Sequence, residues 1–154
     1  MVRQGKALVI MVLLMVGIAL TVGTAIAVPG IGTFEKVTAV NGAVKIPLKV
    51  VNDGNAHFFR FAAGGREIAF FLVRGKDGEI RSAFDACDVC YKEKKGYEQQ
   101  GKDMICRNCN QKFAIDRIGP HEAGDCSPSY LHSRIVGRTV VIAVKDLIAG
   151  CRLF

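Results

Sequence analysis

Residues 87–109 contain two closely spaced cysteine pairs, Cys87-Asp88-Val89-Cys90 and Cys106-Arg107-Asn108-Cys109, separated by fifteen residues. Two residues between paired cysteines allow one tight turn to direct both sulfur atoms at a single ion. Two such pairs joined by a short loop have the spacing of a zinc-ribbon site. The sequence therefore predicts one metal centre at a four-cysteine site, with the ligands Cys87, Cys90, Cys106 and Cys109.

Other chemistry of paired cysteines stays open at this point. The pairs can form disulfides in an oxidising compartment. A thiol oxidoreductase uses one Cys-x-x-Cys pair with a depressed thiol pKa, although that pair normally opens a helix and faces no second pair. Four thiolates hold zinc as a closed structural site or iron as a one-electron centre, mononuclear or iron-sulfur. The spacing predicts a metal without choosing between iron and zinc.

The segment between the pairs is polar and punctuated by glycine over residues 91–97 and 99–103. This composition predicts a hairpin or finger that reaches into solvent. Asn110 follows the second pair, where a left-handed backbone is usually needed, and asparagine tolerates it. Tyr91 follows the first pair, where glycine is more usual, so the first turn is predicted to be distorted.

Apolar runs bounded by turn signals predict strands on both sides of the cysteines. These strands are expected at 37–40, 44–51, 57–62, 67–73, 79–84, 112–117 and 139–144. Gly64-Gly65 and Asp77-Gly78 favour tight hairpins, so the strands before Cys87 should form an antiparallel meander. A helical turn is expected over 146–149, ending at Gly150. The predicted fold class is mainly β with a minor α part: an antiparallel meander carrying a zinc-ribbon-like two-knuckle metal finger.

The first 28 residues predict one N-terminal transmembrane helix or signal peptide. Residues 7–28 carry no charge and follow Arg3 and Lys6, and this length spans a bilayer core of about 30 Å. The segment is a signal anchor, or a signal peptide cleaved after Ala27. Positive charge before it predicts a cytoplasmic amino terminus. After a linker at 29–36, the domain at 37–154 is therefore expected to be periplasmic or extracellular and anchored by a single pass in the cytoplasmic membrane, or secreted if cleaved.

The charge distribution and the predicted export together limit which kinds of binding partner are expected. The net charge is +7, from 21 basic and 14 acidic residues, and the basic residues are scattered along the chain. Export separates the protein from genomic targets, so we expect no nucleic-acid partner. The expected partners are the membrane and a membrane transport or redox protein.

Two residues outside the pairs are candidate additional ligands. Cys126 lies in a Gly/Pro-rich loop; its alternatives are a disulfide with Cys151 or an inert buried thiol. His57 is the other candidate, and its alternative is a hydrogen-bonded strand residue. His121 and His132 have no second ligand at a recognisable spacing.

Other residues near the pairs have ordinary structural explanations as well as functional ones. Asp85 and Asp88 flank the first pair and either tune the site electrostatically or cap the turn. Six phenylalanines have the spacing of strand residues in a core, although aromatic clusters also line cofactor pockets. They are Phe58, Phe59, Phe61, Phe70, Phe71 and Phe84.

Several motifs recur together in one protein group. They are Phe84-Asp85-Ala86-Cys87-Asp88-Val89-Cys90-Tyr91, Lys95-Gly96-Tyr97, Cys106-Arg107-Asn108-Cys109, Ile118-Gly119 and Gly124-Asp125-Cys126-Ser127-Pro128. With Asp53-Gly54 and His57-Phe58-Phe59, they make residues 40–154 resemble the FtrD-like membrane iron-sulfur domain family. The resemblance implies a membrane-linked, cysteine-ligated metal domain associated with iron uptake. The family usually has Gly-Gly-Cys-Asn-Pro around the third cysteine motif, and its larger members have several membrane spans.

The sequence thus predicts a membrane-tethered, extracytoplasmic metal-binding protein that is an accessory or electron-transfer component of iron or other metal-ion handling. The alternative is a structural-zinc binding module whose exposed loop at 92–102 recruits a protein partner. An electron carrier or binding module is favoured over an enzyme, with a thiol oxidoreductase as the enzymatic alternative.

Overall fold

The computed structural model describes residues 33–120 and 125–154. The predicted export segment at 1–28 and His121 therefore lie outside the described residues. The described chain is mainly β and forms three sheets. No helix in the described ranges has both the length and the apolar character needed to cross a bilayer. The strands are β1 (Glu35–Val37), β2 (Ala39–Val40), β3 (Ala43–Pro47), β4 (His57–Ala63), β5 (Arg66–Arg74), β6 (Ile80–Phe84), β7 (Tyr97–Gln100), β8 (Asp103–Cys106), β9 (Lys112–Ala114), β10 (Arg134–Val136) and β11 (Thr139–Ala143), and helix α1 is Val144–Ala149.

The first sheet has the order β1-β4-β5-β6 and contains the predicted antiparallel meander. Gly64 and Gly65, at φ 57° and 76°, turn β4 into β5. A two-residue turn with left-handed backbone matches the twist of the paired strands, and glycine adopts it without steric cost. Strand β1 joins the other edge by pairing parallel with β4. The meander prediction is confirmed for β4, β5 and β6. It is wrong for the earlier strands, because β1 pairs parallel and β2 and β3 lie in another sheet.

The second sheet has the order β10-β11-β3-β2 and is antiparallel throughout. Its central pair joins distant parts of the chain, since Val44 on β3 lies opposite Ile142 on β11. The third sheet, β7-β8-β9, contains the segment between the cysteine pairs. Its first two strands form the predicted hairpin. However, Tyr97 and Met104 are buried, so the hairpin packs against the protein instead of reaching freely into solvent.

Strand β5 separates two hydrophobic cores because its successive side chains point to opposite faces of the first sheet. Phe70 and Leu72 belong to the larger core, which the first sheet shares with the second sheet. Phe71 and Val73 belong to a second core that also contains Cys87 and Cys106. Burial on both faces explains the continuous apolar run of this strand. The cysteine pairs therefore rest on the side of the first sheet that faces away from the larger core.

Three predicted strands differ substantially from the structure, and the boundaries of the other four agree to within one residue. Residues 37–40 divide between β1 and β2, which lie in different sheets. The strand predicted over 44–51 ends at Pro47, opposite Thr139 at the start of β11, and Leu48–Val50 form a 3-10 turn. The strand predicted over 112–117 likewise ends in a 3-10 turn, Ile115–Arg117. Apolar, β-branched runs predict extended structure, but pairing with another strand sets where each strand ends.

The core predictions for the phenylalanines agree with the structure. Phe59, Phe61, Phe70, Phe71 and Phe84 are buried. Phe58 is partly buried and packs against the second core. The predicted helical turn is also present as α1, beginning two residues earlier than expected and ending at Gly150.

Candidate metal centre

Two short turns present the cysteine pairs. The first pair follows β6, where the Asp85 main-chain N–H donates to the Ala69 carbonyl at 2.9 Å and ties the chain to β5. The second pair begins at the last residue of β8, and the Asn110 N–H donates to the Cys106 carbonyl at 2.8 Å. Asn110 has φ 59°, which confirms the predicted left-handed residue. The chain entering the first turn is thereby tied to β5, and the second turn is closed by a hydrogen bond within itself.

The sulfur atoms form two groups of three that share Cys90. One group contains Cys87, Cys90 and Cys126; the other contains Cys90, Cys106 and Cys109, and within each group all sulfurs lie within 4.8 Å of one another. The Cys90 and Cys126 sulfurs are 3.5 Å apart. The structure thus brings the four predicted ligands into one cluster and adds Cys126, which was a candidate additional ligand.

Two N–H groups donate to sulfur atoms of this cluster. The Cys90 main-chain N–H donates to the Cys87 Sγ at 3.0 Å. The Asn108 side-chain amide donates to the Cys90 Sγ at 3.4 Å. The hydrogen bond from Asn108 lowers the pKa of Cys90, since a donor stabilises the charged form of a thiol. These are the contacts expected around metal-bound thiolates.

Burial raises the thiol pKa at two other members of the cluster, opposite to the effect of Asn108 on Cys90. It raises the pKa of the Cys106 thiol to about 11 and raises that of Cys126 still further. Desolvation disfavours an isolated thiolate, and a bound cation compensates for that cost. A set of soft sulfur donors fits zinc, or iron in a mononuclear or iron-sulfur centre.

Tyr97 connects the cluster to the rest of the fold, and sequence reasoning did not identify this role. Its hydroxyl donates to the Cys126 carbonyl at 2.6 Å. Its main-chain N–H donates to Asp85 Oδ1 at 2.7 Å, and burial raises the pKa of that carboxyl group to about 7. The tyrosine ring is buried in the second core. A single aromatic residue thereby positions the Cys126 loop beside the first cysteine pair.

His57 lies apart from the described sulfur groups. Its Nε2 is 2.8 Å from Asp53 Oδ1, the kind of partner expected for a hydrogen-bonded strand residue. His132 is 3.5 Å from a carboxylate oxygen of Asp146. These side chains each have an acidic partner within the described chain, and neither belongs to a described group of three metal-ligating residues.

The remaining cysteine and aspartate have separate surroundings. Cys151 packs against the larger core, whereas Cys126 packs against the second core. The structure therefore places Cys126 next to Cys90 and not with Cys151. Asp88 forms an ion pair with Arg152, which fastens the first cysteine turn to the end of the described chain.

Gly96 is required beside the site for two reasons. Its φ is 65°, and a Cβ added there would lie 2.3 Å from Asp85 Oδ2. Gly101 is a matched position in the following turn, because its φ is 60° but no atom lies within 4 Å of an added Cβ. Comparing alanine substitutions at these two positions therefore separates the cost of the backbone conformation from the cost of the steric clash.

We expect Gly96→Ala to lower the free energy of unfolding by about 2–4 kcal/mol, since left-handed strain and a clash combine. Gly101→Ala should cost about 1–2 kcal/mol, from backbone strain alone. Urea unfolding of both variants measures the difference. Equal losses would show that the contact between residue 96 and Asp85 does not constrain the site.

The fold and the sulfur cluster define a mainly β protein with a cysteine-rich candidate metal centre. The profile of the family described as "Membrane iron-sulfur containing protein FtrD-like" matches residues 51–154. The chain belongs to this family, which confirms the resemblance found in the sequence. No curated protein and no solved structure matches the chain.

Proposed function

We propose that this protein is a membrane-tethered, extracytoplasmic metal-binding protein that acts as an accessory or electron-transfer component of iron or other metal-ion handling. The observation that carries the proposal is the convergence of five cysteine sulfurs from three separate chain segments. The proposed ligands are Cys87, Cys90, Cys106 and Cys109, with Cys126 as the additional ligand. Several thiolates this close together repel one another, and a bound cation offsets that repulsion.

The family description supports iron-sulfur chemistry and a membrane location. An iron centre held by thiolates supplies a one-electron redox couple, whereas zinc supplies a closed structural site. The protein's own groups tune either centre: Asn108 donates to the Cys90 sulfur, and Tyr97 holds the Cys126 main chain. The uncharged segment at 7–28 supplies the proposed tether, and a membrane transport or redox protein is the proposed partner.

Anaerobic metal analysis with an absorption spectrum tests this function on the purified full-length protein in a non-ionic detergent. We expect stoichiometric iron and visible absorption bands that disappear in Cys87→Ser/Cys106→Ser. Cys151→Ser is the matched control, because its thiol packs against the other core, and it should keep both iron and colour. A colourless protein with stoichiometric zinc would favour the alternative, a structural-zinc binding module. Absence of any metal from the wild type would contradict the proposal.

A further inference from the structure

A cavity of about 730 Å³ opens beside the sulfur cluster, and Cys87, Cys90 and Cys106 form part of its wall. This volume lies within the range of small-molecule sites, roughly 300–1,000 Å³. The cavity therefore connects the candidate metal centre to solvent through a space large enough for an organic ligand.

The charged side chains that line this cavity are mostly cationic. Two acidic side chains, Glu67 and Asp85, also line it. The cationic side chains outnumber them and come from two parts of the fold, the β4-β5 hairpin and the segments that carry the cysteine pairs. These cationic residues are Arg60, Arg66, Lys94, Lys95 and Arg107. Concentrated positive charge in a concave surface attracts anionic ligands.

The arginines of the hairpin are held in place by other contacts. Arg60 lies over the Phe34 ring, 4.2 Å from its centroid, and pairs with Glu67 at 3.1 Å. Arg66 donates to the main-chain oxygens of Cys151 and Phe154 at 3.1 and 2.8 Å. These contacts orient the guanidinium groups before any ligand binds, which lowers the entropic cost of binding.

The two lysines differ from the arginines because they form no ion pair within residues 33–120 and 125–154. Both are exposed. Arg107 pairs with Glu98 at 3.5 Å, and both of these side chains are about 40% exposed. Lys94 and Lys95 therefore have their charges available for a ligand in the cavity.

We propose that this cavity binds a small polycarboxylate anion of the kind that chelates metal ions. Cationic groups on two parts of the fold suit a ligand with several separated carboxylates, and the cysteine wall places that ligand beside the thiols. The ligand's role in exchanging metal with the cluster rests on the proposed function. Binding of the anion itself does not, and it is tested separately.

Isothermal titration of the full-length, detergent-solubilised protein with tricarballylate provides the test. This tricarboxylate lacks a hydroxyl group and removes metals less readily than citrate does. We expect saturable binding of one anion per chain that weakens as salt is added. Lys94→Gln/Lys95→Gln should bind roughly three- to ten-fold more weakly, since each lost pair is worth a modest amount near the surface.

The control is Lys49→Gln/Lys145→Gln, which makes the same change in charge at exposed residues outside the cavity. It should bind the anion as the wild type does. Absence of saturable binding at millimolar tricarballylate, or equal weakening in both double variants, would overturn the proposal. Inorganic phosphate binding as tightly as tricarballylate would overturn the assignment to polycarboxylates. Metal content measured on the same samples reports on the proposed function independently of the anion.

Discussion

Cys90→Ser is expected to weaken metal binding more than any other single cysteine substitution in the cluster. Cys90 is the one residue that belongs to both sulfur groups. Its loss removes a ligand from each group and also leaves the Asn108 amide without its thiolate acceptor. Structural zinc sites bind the metal with about 10–16 kcal/mol. Losing one of four thiolate ligands should therefore weaken metal binding by roughly a hundred-fold or more.

The comparison set for this variant comes from the same cluster. Cys109→Ser and Cys126→Ser each remove a sulfur from only one group, so we expect smaller losses. Competition with a chelator of known affinity measures all three, and circular dichroism checks that each variant is folded. If Cys126→Ser lost metal as completely as Cys90→Ser, the shared position of Cys90 would not account for the affinity.

Phe71→Ala is expected to produce the largest loss of stability near the site. The Phe71 ring is fully buried in the second core, and its centroid lies 6.3 Å from that of Tyr97. Removing a buried phenylalanine ring costs about 3–5 kcal/mol, a large part of the roughly 5–15 kcal/mol that typically stabilises a domain. The resulting cavity should also loosen Tyr97, which holds the Cys126 main chain, so metal should be lost at lower chelator concentrations.

Phe70→Ala provides the matched control, because Phe70 is equally buried but packs on the opposite face of β5. Urea unfolding should show a similar loss of about 3–5 kcal/mol for both variants. Chelator titrations performed below both unfolding transitions should show early metal loss in Phe71→Ala alone. Equal chelator sensitivity would mean that the second core does not support the metal site specifically.

The structure explains which strand predictions succeeded. Strands β4, β5 and β6 were found from sequence because local turns connect them in order, so their pairing partners are adjacent in the chain. Strand β3 pairs with the neighbouring β2 and also with β11, which lies far along the chain. Sequence periodicity contains no information on that partner, which is why the predicted strand continued past Pro47.

The same distinction applies to the candidate site. The spacing of each Cys-x-x-Cys pair is a local property, and it indicated four of the five clustered sulfurs. Cys126 lies 36 residues beyond Cys90 in sequence, so its position depends on the packing of its loop against Tyr97. His57 was the other candidate ligand, and its ring pairs with Asp53 instead.

The amino-acid sequence alone indicated a mainly β chain, the two cysteine turns and the family, because these follow from short-range patterns of turns, alternation and spacing. The tertiary structure decided which sulfur atoms lie close together. It also decided that β5 lies between two hydrophobic cores and that a cavity with basic side chains opens beside the cluster. Each of these depends on contacts between segments far apart in sequence. Such contacts are selected by the packing of the whole chain, and no local pattern specifies them.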